Sequence, residues 1–185
     1  MARGAVGVAS RATLANAFTL LRVALVPVIA GLYFVGGATA RWWAFAVFVA
    51  AALTDSVDGW VARRLGAVTP WGQLADPAAD KALVVGSLAV LASASVVPWW
   101  AVAVIVVREV AVTVQRAVLV RRGVVLPAGP LGKVKTVLQI VAVTIYLLPA
   151  APVGVARIVL WLALVMTVVS GAELFARGRR LARAG

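Results

Sequence analysis

The chain has 185 residues, 64% of them apolar, and sets eighteen Lys and Arg against six Asp and Glu, with no His and no Cys. An ordinary soluble domain carries roughly a quarter charged residues and a disordered one is much poorer in apolar side chains, so both classes are excluded. Without Cys or His there is no disulfide framework, no zinc site of the usual ligands, no thiol nucleophile and no imidazole base.

Residues 23–40, 82–107 and 136–156 carry no charge. Apolar runs of this length cross the roughly 30 Å hydrocarbon core of a bilayer, and there only helices satisfy their own backbone. The sequence therefore predicts an all-α, polytopic membrane protein, one domain over 1–185, with six transmembrane helices. A short juxtamembrane segment, 1–14, carries Arg3 and Arg11 and leads into a first span near 15–35. Ala38-Thr39-Ala40 resembles a signal-peptidase site, but the run before it exceeds the roughly 7–15 apolar residues of a signal core, so it reads as a retained span. The second span, 42–63, opens on Trp42 and Trp43 and ends among charges. The long neutral run is divided at Ser93 to Pro98 into a third span, 73–96, and a fourth, 99–121. The fifth and sixth are placed at 134–150 and 154–175. The spans share no sequence repeat, which gives an inverted-repeat transporter no support.

The basic residues set the orientation. Arg3, Arg11, Arg63, Arg64, Arg121, Arg122, Lys133, Lys135, Arg177, Arg179, Arg180 and Arg183 fall on one side of these spans, and Arg41 and Arg157 on the other. The positive-inside rule then puts both termini in the cytoplasm of a chain integral to the cell (inner or plasma) membrane. Trp42, Trp43, Trp99, Trp100 and Trp161 lie near the opposite boundary. The formal charge of +12 is thus a topology signal and an attraction to anionic lipid heads, not a nucleic-acid surface.

Acid–base or metal chemistry falls to Asp55, Asp58, Asp76, Asp80, Glu109 and Glu173, and four of these six lie within 26 residues. Asp55 and Asp58 are three apart near the cytoplasmic end of the second span, and Asp76 and Asp80 four apart at the start of the third, so each pair shares a helix face. A short loop between antiparallel helices brings the faces together. Four carboxylates cannot stay ionised together in a low dielectric without compensation. Hard divalent cations (Mg²⁺, Mn²⁺ or Ca²⁺) take such ligands, and a two-metal site suits phosphoryl transfer. Arg63, one turn past Asp58, has the fork to hold a phosphate. Gly59, Ala62 and Gly72 leave room for a ligand or a neighbouring backbone. Taken singly, such small residues serve helix packing. Intramembrane carboxylates also serve ion or proton carriers, the rival class.

The string D-x2-D-G-x2-A-R-x8-G-x3-D-x3-D, complete from Asp55 to Asp80, resembles the signature of the CDP-alcohol phosphotransferases. The resemblance implies a six-span, homodimeric membrane enzyme that moves a phosphoalcohol group from a CDP-linked donor to an acceptor hydroxyl and releases CMP. It implies that Asp55, Asp58, Asp76 and Asp80 hold two divalent cations, Mg²⁺ or Mn²⁺, that Asp80 is also the base for the acceptor, and that Gly59, Ala62, Arg63 and Gly72 seat the cytidine diphosphate. Flanking residues match as well: Asn16, Thr19, Arg22 and Pro27; Arg108-Glu109; Gly132-Lys133-Val134-Lys135-Thr136 with Gln139; and Lys81 after the last aspartate. They are similar to the branch whose donor is CDP-diacylglycerol and whose acceptor is sn-glycerol 3-phosphate, with siblings that use inositol phosphate, or phosphatidylglycerol for cardiolipin. Ala75 departs from the family's usual bulky apolar residue before the third aspartate.

An anionic acceptor needs cations. Lys133 and Lys135 stand at a cytoplasmic helix start, and Arg108 and Arg116, eight apart, lie on roughly one face of an apolar helix. An Arg within a span needs a partner or a polar cavity, so Arg108 either binds acceptor phosphate or pairs with Glu109 or another helix. Arg22 and Lys81 are placed to contact donor phosphate or pair with the aspartates. Glu109 is expected to orient an arginine, and Glu173 to be an ordinary helix-end charge.

Overall fold

A computed structural model describes the backbone of residues 21–64, 72–121 and 129–184, and side-chain surroundings over 21–54, 81–121 and 129–181. Six helices and no strand occur among the described residues: α1 (Leu21–Val35), α2 (Ala38–Arg64), α3 (Gly72–Ser93), α4 (Trp99–Arg121), α5 (Pro130–Leu147) and α6 (Val153–Ala184). Asn16 and Thr19 lie outside the described residues, as does the start of the first predicted span.

Local chemistry explains the breaks. Between α1 and α2 the chain turns through Gly36 and Gly37, both left-handed at φ 78° and 80°, a region open to glycine without a Cβ penalty. The division of the neutral run falls where the sequence predicts. Val96 N–H donates to the Leu91 carbonyl at 2.9 Å and Ser95 N–H to the Ala92 carbonyl at 3.0 Å, with Ser95 at φ 59°. That is a Schellman cap, and Pro98 stops any continuation. Several boundaries move by three residues or more, and two of the shifts have a plain cause. α5 starts at Pro130, four residues before the expected 134, because proline suits a helix's first position, where no N–H partner is needed. α6 runs nine residues past the expected end, since its arginine-rich tail keeps good helix formers after the apolar stretch stops.

α5 and α6, the latter over Val153–Leu181, are long and apolar enough to cross a membrane. α4 has 23 residues, but Arg108, Glu109 and Arg116 interrupt its apolar character. Beside an apolar core, many large apolar side chains face outward and several polar ones are buried. Valines 107, 110, 114, 137, 165 and 168 face outward, whereas Ser87, Glu109, Lys135, Gln139, Thr167 and Ser170 are buried. A hydrocarbon solvent selects this arrangement, because it gains nothing by hiding apolar groups and strongly disfavours unpaired polar ones.

The chain groups into two compact units. The first comprises residues up to Val90 together with Leu147–Pro149, and so holds α1, α2 and most of α3. Here Phe48, Ile29 and Leu88 are fully buried, and Arg41 donates to the Tyr33 hydroxyl at 3.0 Å with its guanidinium 4.7 Å from the ring centroid. A Cβ added at Gly86 would meet Cγ1 of Val26 at 2.6 Å. We therefore expect Gly86→Ala to destabilise by about 1–3 kcal/mol through overpacking, despite alanine's gain of about 1 kcal/mol in helix propensity. Thermal unfolding in detergent would reveal it, and an unchanged or raised midpoint would contradict it.

The second unit comprises Leu91–Tyr146 and Ala150–Gly185. α4 and α6 lie side by side in it, with Val112, Leu119 and Leu174 buried together and Phe175 against them. Two α4 polar side chains seven apart rest on two α6 glycines seven apart: Arg108 over Gly171, and Gln115 over Gly178. Gln115 also donates toward the carbonyls of Leu174 and Phe175 at 3.5 and 3.4 Å. Trp100 and Trp161 meet with ring centroids 5.3 Å apart, which brings two of the predicted interfacial aromatics together.

Candidate active site

The first half of the predicted site lies on two helix ends of the first unit. α2 runs unbroken to Arg64, so positions 55 and 58 fall on one side of its last three turns, with Gly59, Ala62 and Arg63 following in the same helix. α3 opens at Gly72, and positions 76 and 80, four apart, share a side of its first turns. The side chains of residues 55–80 lie outside the described residues. Arg22 on α1 and Lys81 on α3 are half-buried.

The second half, the cations expected at the acceptor, lies in the second unit. Glu109 is its hub. Its Oε1 accepts from Arg108 Nη1 at 3.0 Å and from Lys135 Nζ, which reaches across from α5. All three side chains are at least nine-tenths buried, with 10%, 7% and 5% exposure for Arg108, Glu109 and Lys135. Arg108 Nη2 also donates to Ser170 Oγ on α6 at 2.8 Å. The network continues through α6: Ser170 Oγ donates to the Thr167 carbonyl at 3.2 Å, Gln139 Nε2 of α5 donates to Thr167 Oγ1 at 3.1 Å, and Thr167 Oγ1 donates to the Ala163 carbonyl. Three helices are thereby tied by side-chain hydrogen bonds, each made where water is scarce and an unmade bond is costly.

Of the two readings of Arg108, the structure shows the pairing with Glu109, whose carboxylate also receives Lys135. Arg116, two turns on, is half-buried, and its buried Nε has no hydrogen-bond partner among the described residues. Lys133 and Lys135 separate. Two residues apart on a helix they face nearly opposite ways, so Lys135 is buried against Glu109 while Lys133 is exposed. Glu173 pairs with Arg177 one turn along α6; expected at a helix end, it lies inside the helix, because α6 continues to Ala184.

Sequence reasoning missed Ser170, Gly171 and Thr167. The signal was present: Thr167 and Ser170 are polar residues three apart in an otherwise apolar stretch of α6, where polar groups need partners on neighbouring helices.

With the aspartate string on two helix ends and a buried cation cluster in the other unit, the comparison with known proteins is decisive. The CDP-alcohol phosphatidyltransferase profile matches residues 12–169. The chain belongs to this family. Among similar members is the probable phosphatidylglycerophosphate synthase of Mycobacterium tuberculosis (strain ATCC 25618 / H37Rv), 42% identical over 179 residues that cover 94% of this chain and 85% of the relative. The CDP-diacylglycerol–glycerol-3-phosphate 3-phosphatidyltransferase of Bacillus subtilis (strain 168) is 40% identical, covering 89% of this chain and 94% of its own length. The enzyme of the same name from Rickettsia bellii (strain RML369-C) is 34% identical over 168 residues, 88% of this chain and 93% of the relative. The family match contains all four aspartates and Arg108, Glu109, Arg116, Lys133 and Lys135, and it ends one residue before Ser170.

Proposed function

We propose that the chain transfers a phosphatidyl group from CDP-diacylglycerol to sn-glycerol 3-phosphate, giving phosphatidylglycerophosphate and CMP in phospholipid biosynthesis. The observation that carries this reading is similarity over nearly the whole chain to relatives named for that reaction. The buried Arg108 and Lys135 support it, because a phosphomonoester acceptor needs cations at its site.

The donor is seated by Gly59, Ala62, Arg63 and Gly72, with its acyl chains left in lipid. Asp55, Asp58, Asp76 and Asp80 are the ligands for two divalent cations, Mg²⁺ or Mn²⁺. Oxygen-only donors at helix spacings i, i+3 and i, i+4 fit hard cations. When bound, the cations neutralise the pyrophosphate and polarise the attacked phosphorus. Arg108, Arg116 and Lys135 hold the acceptor phosphate, with Lys133 at the mouth. Asp80 takes the proton from the acceptor hydroxyl as its oxygen bonds to the β-phosphorus. The bond from that phosphorus to the bridging oxygen breaks, and CMP leaves with the electron pair.

In this reading the helices form one six-span, homodimeric membrane domain, with both termini and the active site on the cytoplasmic side of the cell membrane. The outward valines, the buried polar side chains and the Trp100–Trp161 pair all suit a lipid setting. Purified protein with Mg²⁺ and labelled CDP-diacylglycerol should release CMP in step with phosphatidylglycerophosphate when given glycerol 3-phosphate, and should stop when the metal is chelated. Product with inositol phosphate or phosphatidylglycerol instead would assign a sibling branch. Ion flux across sealed vesicles without CMP release would assign a carrier.

A further inference from the structure

Arg108 is held from three directions, and one of them comes from residues outside every motif and beyond the end of the family match. Its Nη1 is bound by Glu109 and its Nη2 by Ser170 Oγ at 2.8 Å. Ser170 in turn spends its proton on the Thr167 carbonyl at 3.2 Å, which leaves its lone pairs to receive the guanidinium. Gly171 supplies the floor, since a Cβ built there would lie 3.2 Å from Arg108 Cγ and 3.5 Å from its Nε. Contact at 3.2 Å is tighter than ordinary packing, so a side chain at this position would push the arginine stem away from α6 by a few tenths of an ångström.

An arginine free in a cavity has several rotamers to lose when it meets an anion, and that loss weakens binding. Here the loss is met in folding. The guanidinium uses two of its five N–H donors on Glu109 and Ser170. Its Nε is buried with no hydrogen-bond partner among the described residues. The donors that remain sit on a rigid plane of the kind that binds phosphate well.

We propose that Ser170 and Gly171 of α6 are positioning residues that fix Arg108 to receive the acceptor's phosphate. The inference rests on the reading of the acceptor as glycerol 3-phosphate. It makes α6 part of the acceptor site.

The test uses full-length protein in detergent with saturating Mg²⁺, and measures KM for each substrate in the wild type, Ser170→Ala, Gly171→Ala, Arg108→Lys and the double variant Ser170→Ala with Arg108→Lys. Ser170→Ala and Gly171→Ala should each raise KM for glycerol 3-phosphate about five- to tenfold, the factor carried by one well-placed hydrogen bond. KM for CDP-diacylglycerol should stay within twofold. In the Arg108→Lys background Ser170→Ala should add nothing, because the geometry it supports has gone. A glycerol 3-phosphate KM that stays within twofold in Ser170→Ala, an equal rise for both substrates, or full additivity with Arg108→Lys each overturns the proposal. A wild type that releases no CMP in response to glycerol 3-phosphate overturns the acceptor reading and this inference with it.

Discussion

Replacing Asp80 with asparagine should lower glycerol 3-phosphate-dependent CMP release by about 10²–10⁴-fold, the range that a positioned general base contributes, while the thermal midpoint in detergent stays near that of the wild type. Two losses coincide at this position. Asparagine keeps the shape of the side chain but neither accepts the hydroxyl proton nor offers a charged oxygen to a divalent cation. Asp80 lies in the ninth position of α3, four residues after Asp76, so the substitution leaves the helix and the partner position intact. Raising Mg²⁺ should not restore turnover, since occupancy of a weakened metal site would recover but the proton acceptor would still be missing. An Asp80→Asn protein that turns over within tenfold of the wild type would remove Asp80 from the chemistry. A carrier would behave differently, with slowed ion flux and no CMP release in either protein.

The largest loss of stability should follow Glu109→Gln. Glu109 accepts from both Arg108 and Lys135, and all three side chains are almost wholly buried. Glutamine retains the volume but leaves two cations facing each other in a low-dielectric interior. Removing one member of a buried pair costs about 3–5 kcal/mol, most of it the penalty of the charge left behind. Thermal unfolding in detergent should show a clear drop, and an unchanged midpoint would sink the account. The second substitution Lys135→Met, added to Glu109→Gln, should recover part of the loss by removing one of the stranded charges, so the two effects should be far from additive. Recovered stability should not bring recovered acceptor binding, because Lys135 is itself one of the acceptor's cations in the proposed reading.

What was legible in the sequence was local. The aspartate string could be read because its spacings of three and four map directly onto helix faces, and α2 and α3 are continuous helices through those positions. The break at Ser93 to Pro98 could be read because serines and a proline punctuate a neutral run too long for one helix, though not the left-handed turn at Ser95. The cation cluster was only half legible. Arg108 in an apolar helix announces that it needs a partner, and Glu109 beside it is an obvious one. The other partners come from 26 and 62 residues along the chain, Lys135 to Glu109 and Ser170 to Arg108. Nothing in residue spacing encodes which face of one helix meets which face of another. Lys133 and Lys135 show the limit from the other side: adjacent in a motif, they look equivalent as letters, and helix geometry sends one to the surface and the other into the interior.

The shared carboxylate of Glu109 also constrains how this protein can change over time. Arg108, Glu109 and Lys135 meet at a single oxygen, so a neutral replacement at Glu109 strands two charges, and one at either cation shifts the balance of the others. A lineage that abandons the arrangement must pass through a poorly folding intermediate unless two positions mutate nearly together. The trio is therefore expected to change as a unit, whereas Arg116 and Lys133, which no buried carboxylate among the described residues holds in place, are easier to alter singly.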